Sequence, residues 1–342
     1  MIVVMSVSAS EAEIEQVILA IEARSLKALI MPGGERVAIG IPSAIPPDIR
    51  EGLAQSLGAL PSVDHVAHVS RPYKLASREF HRSDTIVEVR GVAFGGPTVQ
   101  VMTGPCAVES YDQMFEAARV ARQAGATVLR GGAFKPRTSP YSFQGLQEEG
   151  LKILKQAATE AGLITISEVM QPELVELVGS YVDILQIGAR NMQNFPLLVE
   201  AGRSHLPVML KRGPSATIDE FLLAAEYLLH HDNDKVLLCE RGVHPLDRTY
   251  IRNTLDLNAV PVLKEVSHLP VIVDPSHGTG VSRYVPALAL AAVAAGADGL
   301  MIEMHPNPRA ALSDGAQSLT PEQFQALMLQ LRQLVSAVGR HI

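Results

Sequence analysis

From residue 99 onward, short apolar runs alternate with segments of helical periodicity. Each run is nearly continuous in apolar residues, which is typical of strands buried on both faces of a parallel sheet. Eight β/α units over about 240 residues are typical of a TIM barrel, with a doubly wound sheet as the alternative. The eight runs are VQVMTG, TVLRGG, LITISE, DILQIG, PVMLKRG, KVLLCERG, PVIVDPSHG and GLMIE.

The first 70 residues have a different pattern, in which strand-like and helix-like segments follow the order β-α-β-β-α-β. Ser10 and Glu13 form a capping box before apolar residues at helical spacing. This order predicts a small ferredoxin-like domain over 1–70. We interpret 71–98 as a linker and short hairpin, and 99–342 as the (β/α)8 barrel.

The composition indicates which partners the chain is not suited to bind and in which compartment it functions. The 342 residues carry a formal net charge of -7, which argues against nucleic acid or an anionic membrane as the main partner. The longest apolar run, VPALALAAVAAGADGL, is too short and too rich in alanine to span a bilayer. The two cysteines cannot form a disulfide framework, so the sequence predicts a cytoplasmic protein.

Cations stand at the ends of several predicted strands in this acidic chain. The C-terminal ends of barrel strands meet at one face, so these side chains should converge there. Such a group suits phosphate and carboxylate ligands, although salt bridges to nearby carboxylates are the alternative. The cations are Arg130, Arg190, Lys211 and Arg241, joined by Lys135 and Arg137 of the loop 129–140, where Thr138 and Ser139 add hydroxyl groups.

A second set of side chains follows three neighbouring strands on the same face. Cys106 follows the first run, His277 lies at the end of the seventh, and Glu303 ends the eighth, with Asp314 in the next loop. Thiolate, imidazole and two carboxylates can together bind a divalent transition metal. The four are dispersed in sequence, so hydrogen-bonded structural roles stay open for His277, and a small buried hydrophobic role for Cys106.

Several long motifs resemble one known family. The chain is similar to 3-deoxy-D-arabino-heptulosonate-7-phosphate (DAHP) synthase, of the type that includes 3-deoxy-D-manno-octulosonate-8-phosphate (KDO8P) synthase. The N-terminal unit also resembles the regulatory domain of some bacterial members. The motifs are GPCAVES, LRGGAFKPRTSPYSFQG, QIGARNMQN, LKRG, LCERG, VDPSHG, IEMHPNP and ALSDGAQSL.

The resemblance implies a reaction and a role for each residue. Phosphoenolpyruvate, erythrose 4-phosphate and water would give DAHP and phosphate, the first step of the shikimate pathway. A divalent metal (manganese, iron, cobalt or zinc) would be held by Cys106, His277, Glu303 and Asp314. Arg130 and Lys135 would meet the phosphoenolpyruvate carboxylate, Arg190, Lys211 and Arg241 its phosphate, and Arg137, Thr138 and Ser139 the aldose phosphate.

Three further roles follow from the same resemblance. Lys135 would act as a general acid toward the aldehyde. Glu168 matches a glutamate near the attacking water. Asp274 would contact the aldose or a metal-bound water, or would only form hydrogen bonds at its strand end.

Two alternatives and a regulatory hypothesis complete the interpretation. KDO8P synthase, which uses arabinose 5-phosphate, typically has K-A-N-R-S where this chain has KPRTS at 135–139. A non-catalytic amino-acid sensor or scaffold is the second alternative. Tyrosine or phenylalanine would bind the N-terminal domain as an allosteric effector, unless that domain serves only assembly. The resemblance also implies a homotetramer.

Overall fold

The computed structural model describes residues 1–32, 36–42, 45–67, 72–135, 139 and 141–342. The chain forms two compact units, Met1–Ser83 and Asp84–Ile342. Their boundary falls inside the segment 71–98 that the sequence assigns to a linker and hairpin. In the part of the chain that the structure describes, no helix is both long and apolar enough to cross a membrane.

The first unit is a four-stranded antiparallel sheet with two helices. Its strands lie in the order β2-β3-β1-β4, so the prediction of a ferredoxin-like domain is confirmed. Ser10 and Glu13 form the predicted capping box at the start of α1. The elements are β1 (Ile2–Met5), α1 (Glu11–Glu22), β2 (Leu29–Pro32), β3 (Val37–Gly40), α2 (Pro47–Gly58) and β4 (Val63–Ala67).

The second unit contains a closed barrel of eight parallel strands. The strands β7 to β14 neighbour each other in chain order and β14 pairs with β7, which excludes the doubly wound alternative. The strands are β7 (Gln100–Gly104), β8 (Val128–Arg130), β9 (Ile164–Val169), β10 (Ile184–Ile187), β11 (Val208–Lys211), β12 (Val236–Glu240), β13 (Val271–Val273) and β14 (Gly299–Glu303).

Helices connect these strands, and side-chain caps and glycines set where they begin and end. Thr217 forms a full capping box with Glu220, and Gly125 ends α3 with a φ of +96° that favours glycine. The helices are α3 (Tyr111–Ala124), α4 (Gln147–Ala161), α5 (Val175–Gly179), α6 (Phe195–Arg203), α7 (Ile218–Leu229), α8 (Ala259–Val266), α9 (Pro275–Thr279), α10 (Val285–Ala294) and α11 (Pro321–Ala337).

A short hairpin, β5 (Val87–Val89) and β6 (Val92–Phe94), packs at the N-terminal end of the barrel. The side chain of Gln100, the first residue of β7, donates a 2.9 Å hydrogen bond to the Ala93 carbonyl. The hairpin's apolar side chains share one core cluster with residues from every barrel strand. This end of the barrel is therefore filled by apolar side chains.

Candidate active site

A cavity of about 520 Å³ opens at the C-terminal ends of the barrel strands. Six of its described lining residues are cationic and two are acidic, in a chain whose net charge is negative. Its size falls in the range of small-molecule sites. The lining residues are Arg130, Lys135, Ser139, Ser142, Glu168, Gln186, Gly188, Ala189, Arg190, Lys211, Pro214, Arg241, His244, Arg252, Asn253, His277 and Asp314.

The cations predicted from strand ends converge in this cavity. Arg130, Lys135, Arg190, Lys211 and Arg241 all line it. The hydroxyl-bearing Ser139 also lines it, whereas Arg137 and Thr138 lie outside the described residues.

Two of these cations are buried and hold carboxylates. Arg130 donates from Nη1 to Glu303 Oε1 at 2.5 Å and to the Pro105 carbonyl at 2.9 Å. Lys211 Nζ lies 2.5 Å from Asp274 Oδ2. The salt bridges that the sequence left as an alternative are thus present for these two cations, which still line the cavity.

Arg241 differs from these two cations. Its half-buried side chain makes no hydrogen bond or ion pair with any other residue that the structure describes. Burial lowers the pKa of its guanidinium, because the charged form loses hydration. An anionic ligand would supply the partner that this desolvated cation otherwise lacks.

Lys135, which lines the cavity, lies against Cys106. Its ammonium donates to the Cys106 carbonyl at 2.8 Å and to Cys106 Sγ at 3.1 Å. The Cys106 thiol is 1% exposed, and burial, together with the Glu303 carboxylate, raises its pKa. The predicted acid and one predicted metal ligand are therefore neighbours.

Cys106, Glu303 and Asp314 form a group that can hold a metal ion. Their ligand atoms all lie within 4.8 Å of one another. His277 Nε2 is 3.5 Å from Glu303 Oε1, so the fourth predicted ligand faces the same group. One thiol, one imidazole and two carboxylates match the donors of a divalent transition metal, so the residues present fit the ion that the sequence predicts.

The orientation of His277 supports this fit. Its Nδ1 lies 2.7 Å from Asp274 Oδ2, a carboxylate that can only accept, so Nδ1 donates the proton. Nε2 then carries the lone pair and faces Glu303. Metal-ligating histidines commonly have this carboxylate partner.

Neighbouring side chains keep the carboxylates of this group ionised. Burial raises the pKa of Asp314, but interactions with His277 in its protonated form and with Arg252 outweigh it and lower that pKa to about 2. Burial likewise opposes ionisation of Glu303, and His277 and Arg130 together lower its pKa below the ordinary value.

Asp274 is fully buried and is not among the described residues that line the cavity. It caps α9 by accepting from the His277 backbone N–H at 2.9 Å, and it pairs with Lys211. Burial raises its pKa, yet His277 and Lys211 hold the pKa well below its ordinary value. The hydrogen-bonding role at the strand end is observed, whereas a contact to the aldose stays a prediction.

Glu168, near the end of β9, also lines the cavity. Gln186 of β10 donates from Nε2 to Glu168 Oε2 at 3.2 Å. Gly188 leaves room for this carboxylate, because a Cβ there would overlap Glu168 Oε1. The carboxylate is thus oriented by a buried amide.

Sequence reasoning missed several residues of the cavity. Gln186 interrupts an otherwise apolar run, and that polarity was a usable signal. Arg252 and Asn253 lie in the long segment between β12 and α8, where no periodic pattern distinguishes them. The other missed residues are Ser142, Gly188, Ala189, Pro214 and His244.

The second cysteine, Cys239, lies in β12 and is fully buried in the apolar cluster of the barrel. Burial raises the pKa of its thiol. It therefore has the small hydrophobic role, whereas Cys106 contacts Lys135 and Asp314, two residues that line the cavity.

Comparison with known proteins agrees with this geometry. Residues 83–339 match the DAHP synthetase I family, and residues 1–71 match the DAHP synthase ferredoxin-like domain. A phospho-2-dehydro-3-deoxyheptonate aldolase of Thermotoga maritima is 45% identical over 339 residues, with 99% of each chain covered. A 2-dehydro-3-deoxyphosphooctonate aldolase of Syntrophobacter fumaroxidans is 36% identical over 262 residues, with 71% of this chain and 90% of that one covered.

A solved structure shows the same relationship. The crystal structure of a Thermotoga maritima phospho-2-dehydro-3-deoxyheptonate aldolase (DAHP synthase) aligns with a TM-score of 0.79 at 44% identity. The alignment covers 99% of this chain and 98% of that chain. The chain therefore belongs to the DAHP synthetase I family, and the prediction of a 3-deoxy-7-phosphoheptulonate synthase with an N-terminal ferredoxin-like domain is confirmed.

Proposed function

We propose that the protein condenses phosphoenolpyruvate with erythrose 4-phosphate and water to give DAHP and inorganic phosphate. The observation that carries this proposal is the cavity lined by six cationic side chains, next to a group of potential metal ligands that includes the lining residue Asp314. Both substrates are anions, and arginine binds phosphate and carboxylate through paired hydrogen bonds.

The cations are distributed in a way that suits the two ends of phosphoenolpyruvate. Arg190, Lys211 and Arg241 follow or end the adjacent strands β10, β11 and β12, and they would hold its phosphate. Arg130 and Lys135 belong to β8 and its loop, and they would hold the carboxylate. Erythrose 4-phosphate would bind with its phosphate toward Arg137, Thr138 and Ser139.

The carbon–carbon bond forms when carbon 3 of phosphoenolpyruvate attacks the aldehyde carbon. Lys135 would donate a proton to the aldehyde oxygen as that oxygen gains negative charge. Its ammonium lies beside Cys106, one of the proposed ligands of the metal. Cys106, His277, Glu303 and Asp314 would hold the divalent metal, which when bound supplies Lewis acidity toward an aldehyde oxygen.

Water adds at carbon 2 of phosphoenolpyruvate, and the bond from carbon 2 to the phosphate oxygen then breaks. Glu168 would accept the proton from this water, and the amide of Gln186 would keep its carboxylate directed. Arg241 and Lys211 would stabilise the charge of the departing phosphate. All atoms of phosphoenolpyruvate, the aldose phosphate and water are thus accounted for in DAHP and phosphate.

Phosphate release from phosphoenolpyruvate tests this proposal directly. The purified full chain is assayed with erythrose 4-phosphate or arabinose 5-phosphate, with and without a chelator, and then with manganese, iron, cobalt or zinc restored. We expect turnover with erythrose 4-phosphate, lost on chelation and recovered with metal. Turnover only with arabinose 5-phosphate would indicate KDO8P synthase, and none with either would favour the sensor or scaffold.

Variants separate the two substrate subsites. Arg137→Ala should raise the KM for erythrose 4-phosphate more than the KM for phosphoenolpyruvate. Equal effects on both constants would contradict the assignment of Arg137 to the aldose phosphate.

We also propose that the ferredoxin-like domain binds tyrosine or phenylalanine and regulates the barrel, and that the protein is a homotetramer. The match of residues 1–71 to the ferredoxin-like domain family supports a dedicated appended module. Titration calorimetry and inhibition assays with both amino acids test the regulation. If neither amino acid gives a heat of binding or inhibits turnover, the domain has a role in assembly only. Light scattering on the eluting protein tests the tetramer.

A further inference from the structure

Gln317 joins two side chains of the candidate site. Its Oε1 accepts from Arg252 Nη1 at 3.1 Å, and its Nε2 donates to Glu303 Oε2 at 2.6 Å. A guanidinium only donates and an ionised carboxylate only accepts, so these partners permit one orientation of the amide. Gln317 is 2% exposed, and both ends of its amide are therefore engaged away from bulk water.

Arg252 contacts a second carboxylate of the same group. Its Nη1 lies 3.2 Å from Asp314 Oδ1, while Asp314 Oδ2 faces the Cys106 sulfur at 3.3 Å. Asp314 has a φ of +51°, a left-handed conformation that costs most residues about 1 kcal/mol or more. One nitrogen of Arg252 thus reaches two predicted metal ligands, Asp314 directly and Glu303 through Gln317.

Hydrogen bonds join the backbone at Arg252 to the segment that follows β13. The Arg252 N–H donates to the Thr279 carbonyl at 2.8 Å, and Asn253 Nδ2 donates to the His277 carbonyl at 2.8 Å. Gly280 accommodates this contact, because a Cβ there would overlap the Cβ of Arg252. The segment that carries Arg252 is therefore fixed to the segment that carries His277.

We propose that Arg252 and Gln317 are positioning residues that orient the carboxylates of Glu303 and Asp314 for a divalent metal. The inference rests on the metal site of the proposed function. Neither residue is one of the four predicted ligands, and both act through the carboxylates that they contact. Partners of this kind typically change metal affinity by about 10- to 100-fold when they are replaced.

Metal binding by the full chain tests this inference without reference to turnover. Chelator-treated wild type, Gln317→Met, Arg252→Gln and Arg252→Lys are titrated with Mn²⁺, and free Mn²⁺ is measured by its electron paramagnetic resonance signal. We expect the Kd to rise by about 10- to 100-fold in Gln317→Met and in Arg252→Gln. Arg252→Lys should recover part of the loss, because it keeps the charge beside Asp314.

A second readout and a matched control separate positioning from general damage. With Co²⁺, the visible bands and the thiolate charge-transfer band of Cys106 should shift in Gln317→Met and Arg252→Gln. Arg283→Gln is the control, since this exposed arginine on a neighbouring short helix donates to Tyr284 and contacts none of the four ligands in the described structure. Its Kd and its spectrum should match those of the wild type.

The outcomes distinguish this inference from the proposed function. Metal binding by wild type with unchanged Kd and spectra in the Arg252 and Gln317 variants would overturn the inference and leave the proposed function intact. No metal binding by wild type would overturn the metal site itself and the inference with it. If Gln317→Met fails to fold, Arg252→Gln decides the question, because the Arg252 side chain is 42% exposed.

Discussion

Replacing Asp274 by asparagine should destabilise the barrel unit strongly. Asp274 is completely buried, and its carboxylate pairs with Lys211, whose side chain is 4% exposed, and with His277. Asparagine has nearly the same shape and can still accept from the His277 backbone, so the change removes mainly the negative charge. Lys211 is then left as a buried cation without its counterion.

The magnitude follows from the burial of this pair. Removing one partner of a buried ion pair typically costs about 3–5 kcal/mol. For a unit of this size, each kcal/mol lowers the unfolding midpoint by about 2–4 °C, so a fall of about 6–20 °C is expected. An exposed pair such as Glu116 with Arg119 provides the control, and Glu116→Gln should leave the midpoint nearly unchanged.

Differential scanning calorimetry measures the effect, with Lys211→Met and the double variant Lys211→Met/Asp274→Asn alongside. The double variant should lose less than Asp274→Asn alone, because no buried charge is left unpaired. A loss below about 1 kcal/mol in Asp274→Asn, or strict additivity in the double variant, would refute the reasoning.

The pH dependence gives an independent check. The pKa of Asp274 is held well below its ordinary value in the folded state, although burial itself would raise it. Its stabilising contribution is therefore complete above the unfolded pKa of about 3.9 and is lost as the pH falls through the lower folded value. The part of the gap between wild type and Asp274→Asn that comes from the Asp274 carboxylate should close as the pH falls below about 4.

Three other variants test separate parts of the molecule. Arg241→Ala should raise the KM for phosphoenolpyruvate by about 10- to 100-fold and should affect the aldose phosphate less, as steady-state kinetics would show. Gly188→Ala should lower kcat by about 10-fold or more with little change in the unfolding midpoint, because the new Cβ displaces the Glu168 carboxylate. Hydrogen bonds, the largest from Ser62, lower the pKa of Glu13 from 4.5 to about 2, so its stabilising contribution is complete above pH 4.5 and is lost as the pH falls toward 2. The difference in unfolding midpoint between wild type and Glu13→Gln should therefore shrink over that interval, and a constant difference would contradict the assignment.

Much of the fold could be read from local pattern. The apolar runs became the eight barrel strands because a strand buried on both faces needs a nearly continuous apolar sequence. The first residue of a helix such as α1 could be predicted because a capping box satisfies backbone N–H groups with side chains only three residues apart, here Ser10 and Glu13. Closure of the barrel was not readable in this way, since the pairing of β14 with β7 joins segments about 200 residues apart.

In the candidate site, too, some features could be predicted from the sequence and others could not. The convergence of Arg130, Lys211 and Arg241 followed from sequence, because parallel strands place their C-terminal ends on one face. Which carboxylate each cation meets was decided by the tertiary structure, as Arg130 with Glu303 and Lys211 with Asp274 show.

The sequence by itself determined the elements, their order and the chemical types that gather at the barrel mouth, because those depend on periodicity and on strand direction. Only the tertiary structure decided which side chains contact each other at the mouth of the barrel. Arg252 contacts Gln317 across 65 positions of the chain, and nothing in the local sequence pattern indicates that contact. Such contacts depend on how the loops pack over the closed barrel, and packing of distant segments has no period along the sequence.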